Sequence, residues 1–469
     1  MRSRSGLLPY AIEVVEDDAQ TVTAHAGLPL VVETMRKLGV SAALDAEIGL
    51  RQRNNGATDS AKVEAIVLLM AAGGDCISDI NILRADKGLE RLLGQKLPTE
   101  DVLRTFLYSF HDDELIDQAK RLLPADRVAY IPTETPALQG LGRVNVALAH
   151  AVARPMKITR ATLDHDATIQ ESHKKQALAH YKGGRGYQPS VLHWVEADQV
   201  IGDEYRDGNV PAGMENLRLI RHGFSSLPSF VTTYQLRGDS ALYEEPVLKW
   251  LANEDRDGGP KGFIGFSISA DMTKELRALC VAVPDSSWTL VDDRANEKVF
   301  AAEVEFTPGD WPKNARPLRY VAVKCVGKQL DLDGQVAIKY LAVVTNRRDL
   351  SDAELLSWHW EKAGTIEHVH DVVKNELGAA TPPCGRFGAN AAWFRLALLT
   401  YNVLSAMKQL ALPPSMENAR PKRMRFMLFS LAARVASHAG SFVMKIGRSA
   451  EQLADLVASR LRLRDLAIQ

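Results

Sequence analysis

The stretch Thr162-Leu-Asp-His-Asp-Ala-Thr168 decides how the chain is read. A β-strand alternates its side chains, so Asp164 and Asp166 share one face and His165 takes the other. Aspartate is depleted in strands. Two on one strand face mean either a solvated edge or a metal site, and geometry alone leaves both aspartates open. The surrounding residues 156–166 are β-rich. Downstream, 190–197 and 199–205 read as a hairpin around Asp198, and Asp207-Gly-Asn209 supplies turn chemistry. Residues 212–222 read as a helix and 230–236 as a strand running into Arg237-Gly-Asp239. The order is strand, strand, strand, helix, strand. Taken singly, Asp239 is an ordinary turn aspartate.

Residues 28–122 read as short helices: Leu28, Val31, Val32, Met35 and Leu38 recur at helical spacing. Thr99 suits an N-cap for a helix over 100–110. Such helices fit a helix-turn-helix DNA reader or a plain bundle. Residues 123–155, with Pro124, Pro132 and Pro136, read as a connector. Residues 260–346 are strand-rich and read as a β-insertion, and helices dominate from Ser351 onward. There, Ile366, Val369, Val373 and Leu377 form the apolar stripe of a helix that puts Glu367 and Lys374, seven apart, on one face. His368 and His370 diverge and read as structural or surface residues.

The chain has 469 residues, too many for one ordinary domain. Its 46% apolar and 25% charged residues exclude wholesale disorder. No apolar run reaches the length of a membrane span, and Met1-Arg-Ser-Arg has no hydrophobic segment behind it to make a secretory signal. Cys76, Cys280, Cys325 and Cys384 are far apart, which disfavours a zinc site or disulfide framework and fits a reducing cytoplasm. The net charge of −1 first argues against a nucleic-acid partner. Regionally it hides a basic end: residues 417–469 hold ten Lys or Arg against four acids. Arg420, Lys422, Arg423 and Arg425 cluster there, ahead of an apolar helix expected over 426–435. Lys174, Lys175, Lys182 and Arg185 form a second cluster. Such groups bind phosphate without regard to base sequence.

Together these pieces resemble a DDE transposase of a bacterial insertion sequence, nearest the insertion-sequence-thirteen-eighty group. Asp-Ala-Thr at Asp166 resembles the end of that family's first core strand. Tyr181-Lys-Gly-Gly-Arg-Gly-Tyr-Gln-Pro189 resembles its glycine turn, and Arg237-Gly-Asp-Ser240 its second-aspartate motif. Gly73-Gly-Asp-Cys-Ile-Ser-Asp-Ile-Asn-Ile-Leu-Arg-Ala-Asp86 looks like its helical region. Glu367 with Lys374 matches the E-x6-K half of the Y-x2-R-x3-E-x6-K signature. The other half departs: Trp360 and Ala363 stand at the tyrosine and arginine positions, with Lys362 one residue off.

The resemblance implies a ribonuclease H-like α/β core, a mixed sheet flanked by helices, with a β-rich insertion and helical N- and C-terminal regions. The expected divisions are a helical DNA-binding region 1–122, connector 123–155, core 156–259, insertion 260–346, core 347–412 with the Glu367 helix, and basic helical region 413–469. It implies Asp166, Asp239 and Glu367 as catalytic ligands of two Mg²⁺ or Mn²⁺ ions. Lys174, Lys182, Arg185, Arg237, Lys374, Arg423 and Arg425 are the candidate DNA contacts. The implied partners are double-stranded terminal inverted repeats, target DNA and a second copy of the chain, with no membrane. Trp288 and Trp311 are candidates to stack a flipped base, against the plainer reading of core tryptophans. A nuclease that does not join ends, or a DNA-binding protein without catalysis, is the alternative.

Overall fold

The computed structural model describes residues 21–51, 56–309, 311–312, 315–330, 336–438, 441–447 and 452–467. The Met1 stretch lies outside them. At the centre is a nine-stranded mixed sheet. From one edge its order is Gln199–Glu204, Ser190–Trp194, Arg160–Ala167, Thr233–Gly238 and Ile264–Ser269, then Val336–Thr345, Arg319–Leu330, Glu297–Val304 and Thr289–Asp293. Each of the first three strands runs antiparallel to its neighbour. Arg160–Ala167 then runs parallel to Thr233–Gly238, which runs parallel to Ile264–Ser269. Ala161 to His165 are all buried, as expected of a central strand covered on both faces.

The expected β-insertion is not a separate layer. Val343–Thr345 pair with Ser267–Ser269, so the later strands lengthen the core sheet at its open edge. Ile264–Ser269 is itself a parallel core strand. Alternation explains why: in Glu297–Val304, Val299 and Ala301 turn into an apolar cluster with Leu355 and Leu356.

The stretch read as a connector contains an 18-residue helix, Pro136–Ala153. Its proline sits in the first turn, where a missing N–H costs nothing. The Thr135 hydroxyl accepts the Leu138 N–H at 3.2 Å and caps the helix. Gly140 allows close packing: a Cβ there would lie 2.1 Å from the Glu47 carbonyl oxygen.

Helix Phe387–Leu410 is the spine of the helical body, buried along almost its whole length. Residues from both ends of the chain pack into one cluster around it, among them Leu28, Leu69, Trp393, Phe429 and Leu456. The helix expected over 426–435 is instead one π-helical turn, Arg425–Phe429, followed by strand Ala433–His438. Ala433 and Val435 are buried while Arg434 is exposed, a period of two rather than 3.6. That strand pairs with Thr21–Thr23 and with Ser441–Ile446. Among the described residues no single helix is long and apolar enough to cross a membrane.

Candidate active site

The parallel pairing of Arg160–Ala167 with Thr233–Gly238 sets Asp164 beside Arg237 and His165 beside Gly238. Asp166 and Asp239 are the next residue on each chain, at the carboxyl ends of two adjacent strands. In open α/β sheets this is where ligands bind. Helix Lys362–Glu376 packs over the first of these strands and carries Glu367 on an exposed position.

The two aspartates of the opening stretch have different fates. Asp164 is fully buried. The Arg237 Nε and Nη2 donate to its two oxygens at 2.7 and 2.9 Å, and the Thr365 hydroxyl donates to it as well. Nη1 of Arg237 reaches the Trp358 carbonyl at 2.6 Å and Glu361 Oε2 at 2.7 Å. Asp164 is therefore neutralised inside the protein, whereas among the described residues no guanidinium pairs with Asp166.

Around Asp166 the counter-charges are looser. Lys362 Nζ lies 3.7 Å and His370 Nε2 3.6 Å from its oxygens. Burial pushes the Asp166 carboxyl up to about 6; Lys362 works against this, and the negative charges of Asp239 and Glu367 add to it. Asp239 and Glu367 thus both lie within electrostatic reach of Asp166. Burial drives the His370 imidazole down to about 3, helped by Lys362 and Lys374, so it is neutral, and among the described residues no side-chain partner lies within hydrogen-bond distance of its buried Nε2. His165, on the opposite face, contacts Ser190 Oγ at 2.7 Å and burial keeps it well below the usual range. Asp239 accepts the Ala241 N–H at 3.0 Å through one oxygen.

Three carboxylates have the all-oxygen donor chemistry of hard divalent cations such as Mg²⁺ or Mn²⁺, but the oxygens of Asp166, Asp239 and Glu367 do not all lie within 4.8 Å of one another. Among the described residues, the ligand atoms that close within 4.8 Å of one another belong to Asp75, Cys76 and Asp79. There Asp79 Oδ2 already accepts the N–H groups of Asp75 and Cys76 at 3.1 and 3.3 Å, which makes that cluster a capped turn.

The candidate DNA contacts divide. Arg237 is 1% exposed and spent on Asp164 and Glu361, so it faces no solvent phosphate. Arg425 likewise turns inward: it donates to the carbonyls of Ala71 at 2.8 Å, Met70 at 3.0 Å and Glu376. Both were singled out as cations; a guanidinium also satisfies orphan helix-end carbonyls and buried acids. Arg185 is exposed, but binds the carbonyls of Ala177 and Lys175 at 2.7 and 2.9 Å and shapes its own loop. Lys374 donates to the Ile169 carbonyl at 2.8 Å. Lys182 and Arg423 are exposed, and Lys174 is half-buried. Trp311 is 9% exposed and packs in the core; Trp288, half-buried, lies beside Tyr340 with Lys324 over its ring.

Three residues of this site were not singled out as functional: Thr365, Glu361 and His370. No sequence spacing marks them, since each acts through a partner more than a hundred residues away. Lys362, considered for the missing arginine, is 8% exposed and points at Asp166.

A mixed sheet, helices on both faces and acidic residues gathered at parallel strand ends define the class. The description Transposase DDE domain group 1 matches residues 11–467, and the chain belongs to that family. No curated protein matches it.

Proposed function

We propose that the chain is a metal-dependent DNA transposase on a ribonuclease H-like core of the insertion-sequence-thirteen-eighty type. Asp166, Asp239 and Glu367 are its ligands for two Mg²⁺ or Mn²⁺ ions. The observation that carries this reading is the parallel register that pairs His165 with Gly238, the residues just before Asp166 and Asp239, with the Glu367 helix packed over the Asp166 strand. The strand arrangement supports the core assignment: three antiparallel strands, then two parallel to the first. Family membership supports DNA as the substrate.

When bound, such a metal pair activates a nucleophile and stabilises the leaving oxygen of a phosphodiester. The chain's own residues do the rest. Asp166 and Asp239 offer oxygens from rigid strand ends, and Glu367 adds a third from the helix face. Arg237 ties Asp164 on the strand to Trp358 and Glu361 just ahead of the Glu367 helix, which holds helix and strands at one separation. Lys362 offsets part of the negative charge beside Asp166. The reaction is cleavage at terminal inverted repeats followed by joining of the 3′-hydroxyl to target DNA. Two ends must be held together, so the working form is a homodimer on nucleoid DNA in the cytoplasm.

The test is incubation with the flanking inverted repeats and Mg²⁺ or Mn²⁺, with cut positions mapped. Wild type is expected to cut at the element ends and Asp239→Asn to bind without cutting. Undiminished cutting by Asp239→Asn sinks the site assignment.

A further inference from the structure

A cleft of about 590 Å³ opens where the chain leaves the Asp166 strand. Lys174 and Lys182 line it, with Lys374 at its back. Lys374 is pinned to the main chain after that strand, through the Ile169 carbonyl at 2.8 Å and the Thr168 hydroxyl at 3.4 Å. The loop carrying Lys182 turns at Gly183, whose φ of 90° favours glycine, and Arg185 braces it through the Ala177 and Lys175 carbonyls. Among the described residues neither the Lys174 nor the Lys182 ammonium has a hydrogen-bond or ion-pair partner. Lys182 only approaches the neighbouring Tyr181 ring, 5.7 Å from its centroid. Glu171 and His173 also line the cleft, and Glu171 leaves it with a net excess of two positive charges. After burial, the Lys182 charge is the next cause that lowers the Lys374 ammonium from its usual range. The loop fold thus gathers like charges and supplies too few anions, as a site for an external polyanion requires.

We propose that this cleft holds the sugar–phosphate backbone of one DNA strand, with Lys174 and Lys182 each on a phosphate. This rests on the reading of Asp166, Asp239 and Glu367 as a DNA-cutting site. Lys374 stands seven residues after Glu367 on one helix, about 10 Å along its axis at 1.5 Å per residue. At 3.4 Å per nucleotide of duplex strand, the cleft meets the backbone about three nucleotides from the scissile phosphate. Burial of the cleft's back wall keeps that stretch in register, and the contact reads no bases.

The test uses the full chain and a fluorescent duplex of arbitrary sequence in EDTA, with affinity measured between 50 and 200 mM salt. The variant is Lys174→Gln with Lys182→Gln, and Lys174→Arg with Lys182→Arg is the charge control. The Gln variant is expected to flatten the slope of log affinity against log salt by about 1.8, from 0.9 per phosphate, while the Arg variant keeps it. Circular dichroism reports that the fold survives. A wild-type slope in the folded Gln variant overturns the proposal. If the slope flattens but no protein cuts DNA with Mg²⁺ or Mn²⁺, the cleft stands and the catalytic reading fails. If wild type cuts and the slope is unmoved, the cleft alone fails.

Discussion

Asp164 and Asp166 lie two residues apart on one strand and one face, yet their surroundings are opposite. Asp164 has a bidentate guanidinium, a hydroxyl donor and no solvent. Asp166 has the Ala167 main chain, a lysine and a neutral histidine beyond hydrogen-bond distance, and two acidic neighbours. A buried acid that is fully paired is architecture. One whose counter-charge is incomplete is a place where a cation belongs. The contrast also places Arg237 with the architecture, although it lies two residues from Asp239.

The largest expected effect breaks the functional side. Asp166→Asn should abolish DNA cutting, a loss of at least ~1,000-fold, with end binding retained in a gel-shift assay. Asp164→Asn keeps Asp166 intact and should leave a measurable cutting rate.

Next comes the architectural side. Arg237→Met leaves Asp164 buried without its partner, a loss of about 3–5 kcal/mol in urea unfolding. Adding Asp164→Leu should restore much of it, because an apolar pair of similar volume needs no compensation. Additive losses in the double variant would dissolve the pair as a unit.

A third prediction concerns metal-free stability. The folded Asp166 carboxyl, at about 6, lies above the ordinary unfolded value near 3.9. A group raised on folding contributes stability that is present below the unfolded value and lost as pH rises through the folded one. Asp166→Asn removes that loss, so the metal-free variant should be more stable than wild type by about 3 kcal/mol at pH 8, and the advantage should vanish by pH 3. Equal urea midpoints at pH 8 would contradict it. The smallest effect sharpens the same point: Lys362→Gln should move the Asp166 titration further upward, read by carbon NMR of the metal-free protein. A downward shift would reverse the role given to Lys362.

The site was partly legible because its signals are local. Strand alternation puts Asp164 and Asp166 on one face, and helical spacing puts Glu367 and Lys374 on another. Strand geometry left the choice between the aspartates open and only the family resemblance favoured Asp166, since Arg237 lies 73 positions from Asp164 and only the parallel register joins them. The helix Pro136–Ala153 was hidden because prolines were read as breakers, while Pro136 sits where helices begin. Residues 426–435 were read as helix because a short apolar and basic run fits either period, and pairing of Ala433–Val435 with Thr21–Thr23 decided its end. The strands after Ile264–Ser269 were legible as strands, but which sheet they join depends on an edge the sequence does not mark.

The most direct measurement compares cutting of inverted-repeat DNA in Mg²⁺ by wild type, Asp164→Asn and Asp166→Asn at matched, verified DNA binding. Cutting by the first two and none by Asp166→Asn is the predicted result; cutting by Asp166→Asn at the wild-type rate would contradict the account.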